Sequence, residues 1–305
     1  MPQVSIIMPV YNGAKYIEES ISSVLAQSFT DFELIVVDDA STDTSKEQIL
    51  AIKDGRLRYL AHAENRGTAA ATCTGLEASA SKFIALLDQD DIALPQRLEK
   101  QVRFLNGQPR ITIAGGQMIC FGAADVEAKV PLDDAGIKAR LLSGAGNMYN
   151  PTVMMRRDFL VRHGIRWQAA DKSAFDWGFF VEAAKLGARF ANLPDTLIHY
   201  RIHEGQQSRD QGSLRTTLAA IRLRLMAPLF PQLSADERVL LEPLLQWAMP
   251  PDLASAEVQA GLALIPKAQS LKKSVLGEDR AVVHHFLNAC EQRWSKALAA
   301  LPQSS

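Results

Sequence analysis

The sequence predicts an α/β protein: a mostly parallel sheet covered on both faces by helices, followed by a helical extension. Three observations carry this. Short, nearly continuous apolar runs recur through the first third of the chain, and stretches with apolar residues at helical spacing separate them. After about residue 208 the strand-like runs stop, and Leu, Ala and Arg dominate. Continuous apolar strands are those buried on both faces, the condition of a parallel sheet sandwiched between helices.

The elements follow in order. Val4–Met8 is the first apolar run, and Asn12-Gly13 then turns the chain. Ile17, Ile21, Val24 and Leu25 fall at helical spacing. Phe32–Val37 is the second strand and ends in Asp38-Asp39; Ser41 is placed to cap the next helix by accepting a bond from a first-turn amide. Leu57–Leu60 reads as a strand, Thr68–Ser79 as a helix, and Phe83–Leu87 as a strand ending in Asp88. Pro95 suits the first position of a helix whose apolar face is Leu98, Val102 and Leu105. From Ile111 to about Tyr200 the pattern is less regular, with strands over Ile111–Ile119, Thr152–Met155 and Leu197–Tyr200 and a helix over Phe175–Leu186. Beyond it, Pro228, Pro231, Pro243 and Pro250-Pro251 punctuate a small helical region. The expected organisation is a first unit over 1–207 and an extension over 208–305.

Composition narrows the function classes. A formal net charge of −1 lacks the basic footprint of a nucleic-acid binder. No run of ~18 apolar residues exists to span a membrane. The opening MPQVSIIMPVY has no basic n-region and reads as a strand. Three cysteines (Cys73, Cys120, Cys290) without metal spacing suit a reduced, cytoplasmic setting.

The chemistry gathers at one sheet edge. In open parallel sheets ligands bind beyond the carboxyl ends of the strands. There the second strand ends in Asp38-Asp39 and the fourth in Asp88-Gln89-Asp90-Asp91, beside Pro9-Val10-Tyr11. Polar loops and helix caps account for a single aspartate after a strand. Two acidic clusters after two buried strands call for a counter-charge, which a divalent cation such as Mg²⁺ or Mn²⁺ supplies through oxygen ligands.

The segments VSIIMPVYNGAKYIEESISSVLAQSFTDFELIVVDDASTDTS and ENRGTAAATCTGLEASASKFIALLDQDDIALPQRLEKQ resemble the family 2 inverting glycosyltransferases, which have the GT-A fold; NPTVMMRRDFL and LPDTLIHYRIHEGQQS resemble later segments of that family. The resemblance covers about residues 3–208 and implies a role for each matching position. Asp39 takes the place of the carboxylate that accepts a bond from the nucleotide base. Pro9, Val10 and Tyr11 line the nucleoside, and Arg66 lies near the nucleotide. Asp88 and Asp90 are the outer carboxylates of a DXD element, Asp88 on the ribose side and Asp90 on the Mn²⁺ or Mg²⁺ ion that bridges the diphosphate. Asp91 is the neighbour of that pair, and a cap on the loop before Pro95 explains it as well. Asp176, in AFDWGFFVEAAKLG, takes the position of the general base, although Phe175 and Gly178 stand where the family usually has acidic residues. Asp171 is the reserve for that role.

In HYRIH, alternation puts Tyr200 on the opposite strand face from His199 and Arg201. The resemblance suggests that His203 approaches the metal; a hydrogen-bonded structural histidine fits the residues equally. Arg66 alone could be a solvated loop residue, and Lys15 and Arg97 read as solvated helix residues.

The expected activity is transfer of a single sugar from a nucleotide-diphosphate sugar, UDP- or dTDP-linked, to a hydroxyl of a glycan or lipid-linked acceptor in polysaccharide assembly. The competing class is a nucleotide-sugar-binding or assembly protein that has lost catalysis. A dehydrogenase lacks support because PVYNGAKY holds no GxGxxG. A processive synthase would carry QxxRW, but His163 and Cys290 stand where the glutamine would precede Arg166-Trp167 and Arg293-Trp294. In the extension, Leu214, Leu218, Ile221 and Leu225 predict an amphipathic helix that packs on the first unit or on a partner subunit, as in a homo-oligomer. Arg215, Arg222 and Arg224 raise the rival reading, a peripheral contact with the inner face of the membrane.

Overall fold

The computed structural model describes residues 1–144, 146–205, 214–246, 250, 253–270 and 280–300. Strands β1 (Val4–Val10), β2 (Phe32–Asp38), β3 (Leu57–Ala61) and β4 (Phe83–Leu86) alternate with helices α1 (Ile17–Leu25), α2 (Ser45–Ala51) and α3 (Thr68–Ala78). Next come β5 (Ile92–Ala93), α4 (Arg97–Gly107), β6 (Ile113–Gly122), β7 (Val126–Ala128) and α5 (Asp134–Ser143). They are followed by β8 (Met154–Arg156), α6 (Arg157–His163), α7 (Phe175–Lys185) and β9 (Phe190–Ile202). Helices α8 (Leu214–Leu229), α9 (Ala235–Leu245), α10 (Ser255–Ala263), α11 (Ile265–Gln269) and α12 (Arg280–Ala300) form the extension.

Among the described residues the strands make one sheet in the order β3-β2-β1-β4-β8-β6-β9-β5, with β7 paired to β6. Strands β3, β2, β1 and β4 are parallel; β8 is antiparallel to β4 and to β6, and β9 runs parallel to β6. Two reversals restore direction, so β1, β2, β4, β6 and β9 all present their carboxyl ends at one edge. That edge is where the acidic clusters lie.

Period-two alternation divides the core between the two sheet faces. Ile6, Met8 and Val10 of β1 pack with Ile17, Ile21 and Leu98, whereas Ile7 joins Leu76 of α3 on the other side. Gly75 makes that second contact possible, because a Cβ there would overlap the Ile7 side chain. The same cluster continues through Leu141 of α5 and Phe179 and Phe180 of α7 into Ile221, Leu225, Met226 and Leu229 of α8. The extension therefore docks its apolar face on the sheet-bearing part of the chain. Arg222 is buried in that contact, donates to the Leu142 carbonyl at 2.6 Å and pairs with Glu242 of α9. Arg224 faces Asp171. Two of the three arginines that suggested a membrane face thus point inward. The Leu214 side chain and residues 206–213, which include the expected 207/208 boundary, lie outside the described residues, as does Pro251.

Other expectations need correction. Ser41 caps no helix: α2 begins later, at Ser45, and the Ser41 hydroxyl accepts the Asn12 amide instead. Pro95 precedes α4 rather than opening it. Strand β9 starts at Phe190, seven residues before the expected strand, and runs past Pro194 through shifts in its pairing with β6. A proline lacks the N–H a regular ladder needs but is tolerated where the register slips. β5 and β7 were not expected because they are two and three residues long and exist through pairing with β9 and β6. Helix α5 carries its own start and stop signals: Asp133 accepts the Gly136 amide at its start, and Gly144 closes it at φ 77°.

Candidate active site

A cleft of about 570 Å³ opens at the carboxyl edge of the sheet. Pro9, Val10 and Tyr11 at the end of β1, Asp39 after β2, and Asp88 and Asp90 after β4 all line it. Asp176 enters from the first turn of α7 and His203 from the segment after β9. Eight of the nine expected site residues are therefore brought together. Arg66 is the exception: its neighbours Asn65 and Gly67 line the cleft, while its own side chain is exposed beside it.

Asp39 is held by its surroundings rather than left to solvent. Its Oδ1 accepts the Arg66 amide at 2.9 Å and lies 2.6 Å from His62 Nδ1; its Oδ2 accepts the Gly67 amide at 2.6 Å. Gly67 sits at φ 86°, a conformation that favours glycine, and it is the N-cap of α3. The far nitrogen of His62 meets the Thr74 hydroxyl at 2.9 Å, so the ring is fixed between α3 and the carboxylate. A carboxylate has about four acceptor positions, and three are used, which leaves one for a ligand N–H. Asp38 has a different job. It is buried, and it accepts the Tyr59 hydroxyl at 2.6 Å and the Ser41 amide at 2.9 Å.

The loop after β4 is tied to β1 through Gln89, the middle residue of the DXD element. Gln89 accepts the Tyr11 amide at 2.9 Å and donates to the Tyr11 carbonyl at 3.2 Å. A Cβ on Gly13 would collide with the Gln89 carboxamide, so the glycine admits this tie. Neither Gln89 nor His62 was expected; both act through bonds to residues distant in sequence.

Carboxylates crowd the floor. Asp88 is pushed up to about 7, first by loss of solvent, then by repulsion from Asp90 and Asp176. Asp176 is raised by burial, offset in part by the Trp177 amide, which donates to its Oδ1 at 2.7 Å. Asp91 is fully buried; it accepts the Arg201 amide at 2.9 Å, and its Oδ2 has no partner among the described residues. Burial, followed by repulsion from Asp88 and Asp90, holds Asp91 well above the usual carboxylate range. It is a structural acid that does not line the cleft.

Arg97 reverses the expectation of a solvated helix residue. It is 2% exposed and donates to the Leu86 carbonyl at 2.6 Å. Burial pulls it down to about 10, against the attraction of Asp91 and Asp88. The β4–α4 turn forces this placement, since α4 begins directly behind the acidic loop. Lys15 is exposed, as expected.

The donor set suits a hard divalent cation. His203 Nε2 lies 2.8 Å from Asp90 Oδ2, and its ring rests on Tyr16 at 4.9 Å between centroids. No group of three or more His, Cys, Asp or Glu among the described residues forms a complete metal cage. One or two protein ligands are what Mg²⁺-type sites use when substrate phosphates and water complete the shell.

Comparison with known proteins identifies the family and the fold. Residues 5–185 match the family described as Glycosyl transferase family 2. The chain belongs to that family. An uncharacterized glycosyltransferase of Haemophilus influenzae is 30% identical over 221 residues, 68% of each chain. The UDP-Glc:alpha-D-GlcNAc-diphosphoundecaprenol beta-1,3-glucosyltransferase WfgD of Escherichia coli is 42% identical over 102 residues, 33% of this chain and 40% of that one. Among solved structures, S. aureus TarS 1–349 in complex with UDP-GlcNAc has a TM-score of 0.65 at 19% identity, covering 97% of this chain and 92% of that one. This likeness establishes the GT-A fold and extends through the helical part beyond residue 185. As a member of family 2, the protein is a glycosyltransferase. No helix among its described residues is long and apolar enough to cross a membrane.

Proposed function

We propose that this family 2 enzyme transfers one sugar, with inversion, from a UDP- or dTDP-linked donor to a hydroxyl of a glycan or lipid-linked acceptor. The observation that carries the reading is the meeting of Asp39, the Asp88/Asp90 pair and Asp176, from three separate stretches of chain, around one cleft.

The nucleobase lies against Pro9, Val10 and Tyr11, with Asp39 as its reader. The open acceptor position on Asp39 favours a base with a ring N–H, as uracil and thymine have at N3, where cytosine and adenine present an acceptor nitrogen instead. Asp88 faces the ribose. Asp90 and His203 would hold Mn²⁺ or Mg²⁺, which would offset charge on the leaving diphosphate. Asp176 accepts the proton of the acceptor hydroxyl as that oxygen bonds to the anomeric carbon. The bond from that carbon to the phosphate oxygen breaks on the opposite face, and its electron pair leaves with the nucleoside diphosphate. One displacement inverts the centre. Burial suits Asp176 to this task, because raising a carboxyl from its ordinary range makes it a stronger base near neutral pH.

Calorimetry of UDP, dTDP, GDP, CDP and ADP with Mn²⁺ tests the donor half. UDP or dTDP should bind tightest, and Asp39→Ala should flatten the preference. Equal affinities for all five would remove Asp39 as the base reader.

A further inference from the structure

The segment that carries Asp176 to the cleft is set by a residue outside the family-matched region. Between Trp167 and α7 the chain makes a tight turn, Ala169–Ala174, in which Lys172 adopts φ 50°, ψ −129°. A non-glycine residue keeps such a conformation when its neighbours over-determine it. This turn delivers Ser173, Phe175 and Asp176 to the cleft.

Its inner anchor is Asp171, which is buried and does not line the cleft. Arg224 of α8 donates to Asp171 Oδ1 at 2.7 Å and to Oδ2 at 2.8 Å. The Arg224 Nε lies 3.8 Å from Glu182 on α7. The guanidinium thus binds Asp171, before Asp176 in sequence, and stands near Glu182, after it, without a hydrogen bond. Gly178 makes the arrangement possible, since a Cβ there would overlap the Asp171 carboxylate. The glycine that departs from the family pattern therefore has a local use. A buried carboxylate that loses its cation must find water or a proton. Here the path to water is outward movement of the turn.

We propose that Arg224 is a positioning residue: through Asp171 the extension fixes the turn 171–176, and with it the place of Asp176 beside the incoming hydroxyl, while leaving donor binding untouched. The proposal rests on Asp176 as the base. It gives the extension a part in the reaction, and it explains why Asp171, the reserve candidate for the base, is committed elsewhere.

The test uses the full chain and the variants Arg224→Met, Arg224→Lys, Asp171→Asn and the double Arg224→Met/Asp171→Asn. UDP release from UDP-glucose and from UDP-N-acetylglucosamine, with water as surrogate acceptor, gives kcat and KM. Calorimetry with UDP and Mn²⁺ gives donor affinity, and hydrogen exchange reports on residues 169–176. For Arg224→Met we expect faster exchange confined to that turn, kcat lower by about 10- to 100-fold, and KM and UDP affinity within about twofold. Arg224→Lys should recover part of kcat, and the double variant should be no worse than Arg224→Met alone. Unchanged exchange in the turn would overturn the proposal whatever the activity does. So would faster exchange with unchanged kcat, or equal losses of kcat and UDP affinity, the mark of general loosening. A wild-type protein that binds neither UDP nor dTDP with Mn²⁺ and releases no UDP would instead sink the functional reading beneath it, while exchange would still report whether the ion pair holds the turn.

Discussion

Asp176→Asn separates acceptor activation from donor binding. Asparagine keeps an oxygen to accept the Trp177 amide, a bond of 2.7 Å, so the start of α7 should persist. It removes one of the charges that raise Asp88, now at about 7, so that carboxyl should fall in part while burial and Asp90 still hold it up. UDP binding with Mn²⁺ should therefore hold or tighten slightly. Loss of a general base typically costs about 10²–10⁴ in rate, or roughly 2.7–5.4 kcal/mol of transition-state stabilisation. The assay is acceptor-dependent transfer of a labelled sugar, run beside calorimetry of UDP with Mn²⁺. Asp171→Asn is unsuitable as the matched control because Asp171 is bound to Arg224. Asp158→Asn serves better, since Asp158 and its partner Arg162 are both about two-thirds exposed. Transfer within threefold of wild type would refute the assignment, and a UDP affinity that falls as far as the rate would make Asp176 a donor ligand instead. A product with retained anomeric configuration would remove the single displacement itself.

Asp90→Asn replaces an anionic ligand with a neutral amide, so calorimetry should show Mn²⁺-supported UDP binding falling strongly while UDP alone binds as before. Because Asp88 sits at about 7, UDP–Mn²⁺ affinity should rise as the pH climbs from about 5 to 8, and Asp176→Asn should move that rise to lower pH. The metal-free fold should respond oppositely: native Asp88 keeps a proton that the unfolded chain releases above its ordinary ~3.9, so stability falls between there and about pH 7 and then levels off, as melts in chelator would record. Glu242→Ala strands the buried Arg222 cation and should lower the unfolding free energy by about 3–5 kcal/mol in urea titrations.

The parallel part of the fold was legible in the sequence because each of its strands is a local signal. β1 and β2 are buried on both faces, so nearly every side chain in Val4–Val10 and Phe32–Asp38 had to be apolar, and Asp38 and Asp88 mark where the apolar runs end. The same locality made the site legible: Asp39, Asp88, Asp90 and Asp176 each sit at the end or start of an element, where a polar side chain reaches the sheet edge. What the sequence could not decide depends on contacts between distant residues. β5 and β7 are too short to carry a period and exist by pairing, and β9 crosses a proline that reads as a break. Arg97 looks like any helix-surface arginine until the β4–α4 turn drives it beneath Asp88 and Asp91. Likewise, nothing around Arg224 announces Asp171, which lies 53 residues away. An ion pair leaves no pattern along the chain, because its energy depends on separation and burial in space. Only the packing of α8 on α7 brings that pair together.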